Sequence, residues 1–81
     1  MLFTQQIKAA RALLGWSQEI LAERAGLGAA TVKRMEAKPG HATGQADSVW
    51  KIKAALEAAG IIFLDGDPTG SFGVRFVNKK K

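Results

Sequence analysis

The 81-residue sequence contains no cysteine, no tyrosine and a single histidine, His41. Without cysteine the chain can form no disulfide, no thiolate metal site and no cysteine nucleophile, which is compatible with a reducing cytoplasm. The remaining residues do not supply a nucleophile, a base and an orienting group together, and there is no glycine loop that could cradle a phosphate. The sequence therefore predicts a protein that is not an enzyme and that needs no metal or other cofactor.

Long apolar runs are also missing. The longest uncharged apolar stretch, residues 58–64, falls far below the ~20 residues that a membrane-spanning helix requires. Lys8 and Arg11 interrupt the first apolar residues before the core of a secretion signal can form. These absences predict a cytoplasmic protein without a membrane partner.

Acidic residues are few, with 7 against 12 lysines and arginines, so the net charge is +5. Residues 1–40 contain six cations and three anions, and residues 68–81 contain four cations and no anion. An excess of this size on a small surface favours a polyanionic partner. Because 81 residues, 47% of them apolar, suffice for one compact domain but not for a deep cavity, we expect binding rather than catalysis.

Apolar residues recur at helical spacing through most of the chain. The pattern predicts helices over residues 4–14, 17–25 and 45–59, and a further helix between the last two in which Ala29, Ala30, Val32 and Met35 continue the apolar spacing. Ser17 is a good N-cap for the second helix, and Gly26 stands where a left-handed residue commonly ends one. In the first helix, Leu13 is assigned to the apolar stripe and Gln6 to the polar side. Trp16 and Trp50 are expected to be core or rim anchors.

After residue 60 the pattern changes from helix to strand. Residues 61–64 are aliphatic and aromatic, residues 65–70 have turn composition and residues 74–77 nearly alternate, which predicts a hairpin. Two strands this short are not stable alone in water, so they must pack on the helices, pair with a second copy, or do both. Our hypothesis is pairing between subunits. The tail, residues 78–81, either contacts phosphates or is simply solvated.

Residues 18–37 form a unit in which small and apolar side chains hold two helices together. Ala22 allows the helices to cross closely, Gly26 provides the turn, and Val32 and Met35 pin the later helix to the earlier one. The outer side of the later helix is small at its N-terminus and cationic further on. Such a face suits the major groove of DNA.

The run LGWSQEILAERAGL at residues 14–27, followed by TVKRME at residues 31–36, resembles the core pattern of the Cro/C1-type helix-turn-helix repressors. This group is also called the xenobiotic-response-element family, and with the flanking helices the resemblance covers residues 4–60. It implies a mainly α fold: a compact four-helix, lambda-repressor-like DNA-binding domain over residues 1–60. A C-terminal β-hairpin or strand pair over residues 61–77, a candidate dimerisation element, and the basic tail 78–81 complete the predicted organisation.

The resemblance also implies a set of DNA contacts, with the third helix, at about residues 28–37, as the recognition helix. The contact residues are Gln18, Ala29, Ala30, Thr31, Lys33, Arg34 and Lys38. Gln18 falls at the position of the family's phosphate-contacting glutamine, where a helix N-terminus suits a phosphate. Ala29 and Ala30 replace the polar base-reading residues of many members. Alanine can meet a thymine methyl but forms no bidentate hydrogen bond, so direct readout shifts to Arg34, Lys33 and Thr31.

Some of these residues also have a purely structural interpretation. Lys33 and Arg34 could merely solubilise a helix face, and Gln18 could be an ordinary surface residue. Arg11 and Glu36 match a family pair that ties the first helix to the third, which would make them scaffold rather than contact residues.

Taken together, the sequence predicts a sequence-specific double-stranded DNA-binding transcriptional regulator. The simplest mode of action is repression by operator occupancy as a homodimer, with half-sites one helical turn apart. One alternative is an antitoxin-like interaction protein that neutralises a toxin partner and autoregulates its operon. A more distant alternative is non-specific nucleic-acid binding through charge alone.

Overall fold

The computed structural model describes residues 2–38, 40, 42, 46–64 and 72–77. These residues form four helices followed by two strands: α1 (Thr4–Leu14), α2 (Gln18–Ala25), α3 (Ala29–Glu36), α4 (Ala46–Ala58), β1 (Ile61–Leu64) and β2 (Gly73–Phe76). The predicted fold class is confirmed, and the predicted ends of the helices and strands lie within one residue of the observed ones. The predictions for His41, the turn at 65–70 and the tail at 78–81 concern residues outside the described ranges.

Helix ends are set by the local signals in the sequence. Ser17 caps α2, because its hydroxyl accepts a hydrogen bond of 3.1 Å from the backbone N–H of Ile20. Gly26 ends α2 in the left-handed conformation, with φ of 73°, a conformation that costs glycine little and other residues more. Among the described residues, no helix is long and apolar enough to cross a membrane.

All four helices and the first strand contribute to one apolar core. Its most deeply buried members are Ile7, Ala10, Leu21, Ala22, Val32, Met35, Ile52, Leu56 and Ile61. Because Ile61 belongs to this cluster, the hairpin is part of the packed domain and not an appendage to it.

The hairpin is also tied to α1 through a side chain that the sequence pattern placed on the polar side. Gln6 is only 3% exposed. Its amide nitrogen donates to the carbonyl oxygens of Leu64 at 3.2 Å and Gly73 at 3.0 Å, and its amide oxygen accepts from the backbone N–H of Phe3. The prediction for Gln6 is therefore wrong, because helical spacing alone does not show that a sheet end covers this position.

Two apolar residues point outward against expectation. Leu13 is 48% exposed and Trp50 is 67% exposed, so the core-stripe assignment of Leu13 and the anchor assignment of Trp50 are wrong. Neither side chain lies on the side of its helix that faces the core. Trp16 does pack against the core's edge, and the guanidinium carbon of Arg24 lies 5.1 Å from its ring centroid.

Candidate nucleic-acid interface

The α2–α3 unit has the packing that its small residues predict. Ala22 is 2% exposed, Val32 is fully buried and Met35 is 4% exposed. In the turn that follows Gly26, the backbone N–H of Leu27 donates to the carbonyl of Ala22 at 2.8 Å. The inner side of α3 is thereby fixed on α2, and its other side is left to the solvent.

The outward face of α3 consists of Ala30, Lys33, Arg34 and Ala37, all of which are exposed. Their spacing of three, four and seven residues places them along one side of the helix. Ala37, which directly follows α3, is not among the predicted contact residues, although its place seven residues after Ala30 is a signal of the same periodicity. Lys38 is exposed just beyond this face.

Two of the predicted contact residues lie at the margins of this face. Ala29 is half-buried and packs against the core, and Thr31 is also half-buried. Of the two alanines at the start of α3, only Ala30 is fully presented to the solvent. The outward surface therefore has the cations Lys33 and Arg34 at its centre, with the small side chains of Ala30 and Ala37 at its two ends.

The two cations of the outward face have different neighbours. Lys33 Nζ lies 3.6 Å from Glu19 Oε2 on the first turn of α2, and both side chains are well exposed. Arg34 has no ion-pair partner among the described residues, and its Nη2 lies 3.5 Å from the hydroxyl oxygen of Thr31. The guanidinium of Arg34 is thus the more available of the two charges.

Glu19 is anionic at neutral pH. A hydrogen bond from its own backbone N–H lowers the pKa of its carboxyl group, and the positive charge of Lys33 lowers it further. The surface that presents Lys33 and Arg34 therefore also carries one fixed negative charge.

Behind this surface, Arg11 and Glu36 join α1 to α3 as predicted. Arg11 Nε and Nη2 each donate to one carboxylate oxygen of Glu36 at 2.7 Å, which is a bidentate pair. Arg11 Nη1 also donates to the backbone oxygen of Trp16 at 3.0 Å. The side chain of Glu36 is 2% exposed, so the pair is a buried contact that fixes the C-terminal end of α3.

Gln18 belongs to the same network. Its amide nitrogen donates to Glu36 Oε1 at 3.0 Å, so at least one of its N–H groups is directed into the protein. Burial raises the pKa of Glu36, but the hydrogen bonds from Arg11 and Gln18 outweigh that effect and hold the pKa below its ordinary value. The start of α2 and the end of α3 are consequently linked through one buried carboxylate.

The structure thus brings Ala30, Lys33 and Arg34 together on one exposed surface and places Gln18 behind it in the Arg11–Glu36 network. Residues 7–45, which run from α1 to the residue before α4, match the family model described as Helix-turn-helix. No curated protein matches the chain.

Proposed function

Because residues 7–45 belong to the Cro/C1-type helix-turn-helix family of DNA-binding transcription regulators, we propose that the protein reads a specific double-stranded DNA sequence with α3. The family is a DNA-binding family and not an enzyme family. The observation that carries the proposal is the two-sided character of α3: Val32, Met35 and Glu36 are buried, and the opposite side is exposed and cationic. A helix with this arrangement can enter a major groove without unpacking the domain.

The proposed contacts divide by chemistry. Arg34, whose guanidinium has no ion-pair partner among the described residues, forms the bidentate hydrogen bonds to a guanine edge, and Ala30 meets a thymine methyl. Lys33, which the sequence assigned to base readout, is here assigned with Lys38 to phosphates, because its ammonium group is a point charge that pairs with an anion, as it does with Glu19. Gln18 contributes its remaining amide hydrogen bonds at the N-terminus of α2. Ala29 and Thr31 complete the contact set at the margin of the surface.

Selection from randomised duplexes at one near-physiological salt concentration tests this proposal. We expect an enriched inverted repeat with half-site centres about 10 base pairs apart, because a two-fold dimer of such domains presents its recognition helices one helical turn apart. If duplexes are retained but no sequence is enriched among them, the protein binds DNA through charge alone. Absence of retention would contradict DNA binding altogether.

We further propose that the regulator is a repressor. Occupying an operator excludes polymerase without any contact beyond the DNA-binding surface, so repression requires only the α2–α3 unit and sufficient affinity. A reporter gene placed behind the selected operator should therefore fall in expression when the protein is present.

The two strands pair with each other within the chain, so the homodimer is proposed to form through one face of the hairpin and not by strand pairing between subunits. Paired residues share a sheet face, and the register pairs Ile62 with Arg75 and Leu64 with Gly73. Ile61, Phe63 and Val74 pack against the core. The pairs Ile62–Arg75 and Leu64–Gly73 lie on the opposite face of the sheet and therefore face away from the core. Ile62 is 43% exposed and Leu64 39%. This outer sheet face, which consists of Ile62, Leu64, Gly73 and Arg75, is the surface that we assign to a second copy, since it would remove the two exposed apolar side chains, Ile62 and Leu64, from water.

Substituting Ile62 by lysine is expected to convert the dimer into a monomer, because it replaces an apolar side chain of the proposed contact by a second positive charge beside Arg75. Sedimentation velocity measures the change. Leu13→Lys is the matched control, since Leu13 is similarly exposed on α1 and lies outside the hairpin. A parent protein that is monomeric at every concentration, or an Ile62→Lys variant that stays dimeric, would contradict this assignment.

The outer sheet face also supports the antitoxin-like alternative, because an exposed apolar surface can receive a different protein. A toxin-like gene next to this one would favour that function. So would a chain that is monomeric alone but forms a defined complex with the neighbouring gene's product, which Ile62→Lys should then weaken.

A further inference from the structure

On the proposed DNA-binding side, the exposed carboxylate of Glu19 lies beside the exposed ammonium group of Lys33, which is a proposed phosphate contact. Glu19 Oε2 and Lys33 Nζ are 3.6 Å apart, and the two side chains are 63% and 58% exposed. The contact joins the first turn of α2 to the outward face of α3. It does not hold the domain together, since solvent-exposed pairs contribute little to stability.

We propose that Glu19 is an intramolecular competitor of DNA for Lys33. The proposal rests on the proposed DNA-binding function and names a residue that sets its strength. In the free protein, the carboxylate of Glu19 neutralises Lys33. While Lys33 stays paired with Glu19, its ammonium group is not available to a DNA phosphate.

Arg34 is not restrained in this way, because its guanidinium has no ion-pair partner among the described residues. Glu19 therefore weakens the phosphate contact of Lys33 and leaves base readout by Arg34 intact. Non-specific binding depends almost entirely on phosphate contacts. By competing for Lys33, Glu19 thus limits the protein's affinity for DNA that does not contain the operator.

The salt dependence of binding gives this idea a quantitative form. Each phosphate neutralised by a cation contributes about 0.9 to the slope of log K against log salt concentration. Freeing Lys33 should steepen the slope by about that amount. Between about 50 and about 200 mM salt, this corresponds to an additional affinity loss of about 3.5-fold.

Glu19→Gln is the test variant, and a fluorescently labelled duplex of random sequence is the probe. Fluorescence anisotropy should show several-fold tighter binding at the lower salt concentration and the steeper slope. Glu23→Gln is the matched control, because Glu23 is exposed one turn further along α2 and has no ion pair within the described ranges. It removes the same charge without freeing Lys33.

The Lys33→Gln background separates release of the lysine from simple repulsion between Glu19 and DNA. Adding Glu19→Gln to Lys33→Gln should leave affinity and slope unchanged. The proposal is overturned if Glu23→Gln acts as strongly as Glu19→Gln, if Glu19→Gln has no effect, or if its effect persists without Lys33. If the parent and all variants fail to bind either this duplex or the selected operator, the DNA-binding function itself is wrong, and the proposal falls with it.

Discussion

Replacing Arg11 by alanine is expected to lower the free energy of unfolding by about 3 kcal/mol, a large part of the total for a domain of this size. The variant keeps Glu36 in a buried site and removes its two hydrogen bonds from the guanidinium, each 2.7 Å long. A buried carboxylate without its cation is strongly unfavourable, and the hydrogen bond from Gln18 compensates for only part of the loss.

The destabilisation should depend on pH in a defined direction. In the parent, Glu36 has a lower pKa in the folded than in the unfolded chain. Its contribution to stability is therefore complete above the unfolded pKa, and it is lost as pH falls through the folded pKa. In Arg11→Ala, burial is no longer opposed by the guanidinium, so the folded pKa of Glu36 should rise above the unfolded pKa. Protonation of Glu36 then removes the cost of a buried charge in the variant. The stability of the variant should therefore approach that of the parent as pH falls from about 7 to about 4.

Urea unfolding at a series of pH values measures both effects. Arg34→Ala is the control for stability, because it removes the same side chain from an exposed position and should cost no more than about 0.5 kcal/mol. Equal stability of Arg11→Ala and the parent at neutral pH would contradict the buried pair. A difference that does not narrow toward low pH would contradict the assignment to Glu36.

Arg34→Ala is expected to weaken binding to the selected operator by about 1–3 kcal/mol, or about 5-fold to about 150-fold in Kd. Arg34 is exposed on the outward face of α3, and no carboxylate among the described residues holds its guanidinium. It is the side chain best placed for bidentate contact with a guanine. The loss should be concentrated on the operator and should be smaller on a scrambled duplex of the same length.

Anisotropy titrations of both duplexes at one salt concentration test this. Arg24→Ala is the charge-matched control, since the guanidinium of Arg24 lies over Trp16 and lines a groove against α4. It should have little effect on either duplex. An equal loss on the two duplexes would make Arg34 a phosphate contact, and no loss on the operator would place it outside the interface.

Much of this architecture could be predicted from the sequence because it depends on neighbours along the chain. The period of apolar residues located α1, α2 and α4 within one residue of their observed bounds, and the family resemblance did the same for α3. Ser17 and Gly26 marked the ends of α2 through hydrogen-bond and φ requirements that operate over a few residues. The Arg11–Glu36 pair was also predicted, although from the family resemblance and not from any local signal.

The candidate site was predicted less completely, because exposure of a helical residue depends on what packs against it. On α3, periodicity separated Val32 and Met35 from Lys33 and Arg34 correctly. It did not show that Ala29 packs against the core. Nor did local pattern show that Gln18 is held by Glu36, which is eighteen residues away.

By itself, then, the sequence determined the order and extent of the elements, the helix-turn-helix unit and the side of α3 that carries its cations. These features follow from short-range periodicity and capping, which act before distant parts of the chain meet. Only the tertiary structure decided that Gln6 is buried under the hairpin, that Trp50 is exposed, and that Glu19 lies against Lys33. Each of these depends on which elements pack together and at what angle, and that is set by the burial of the whole core.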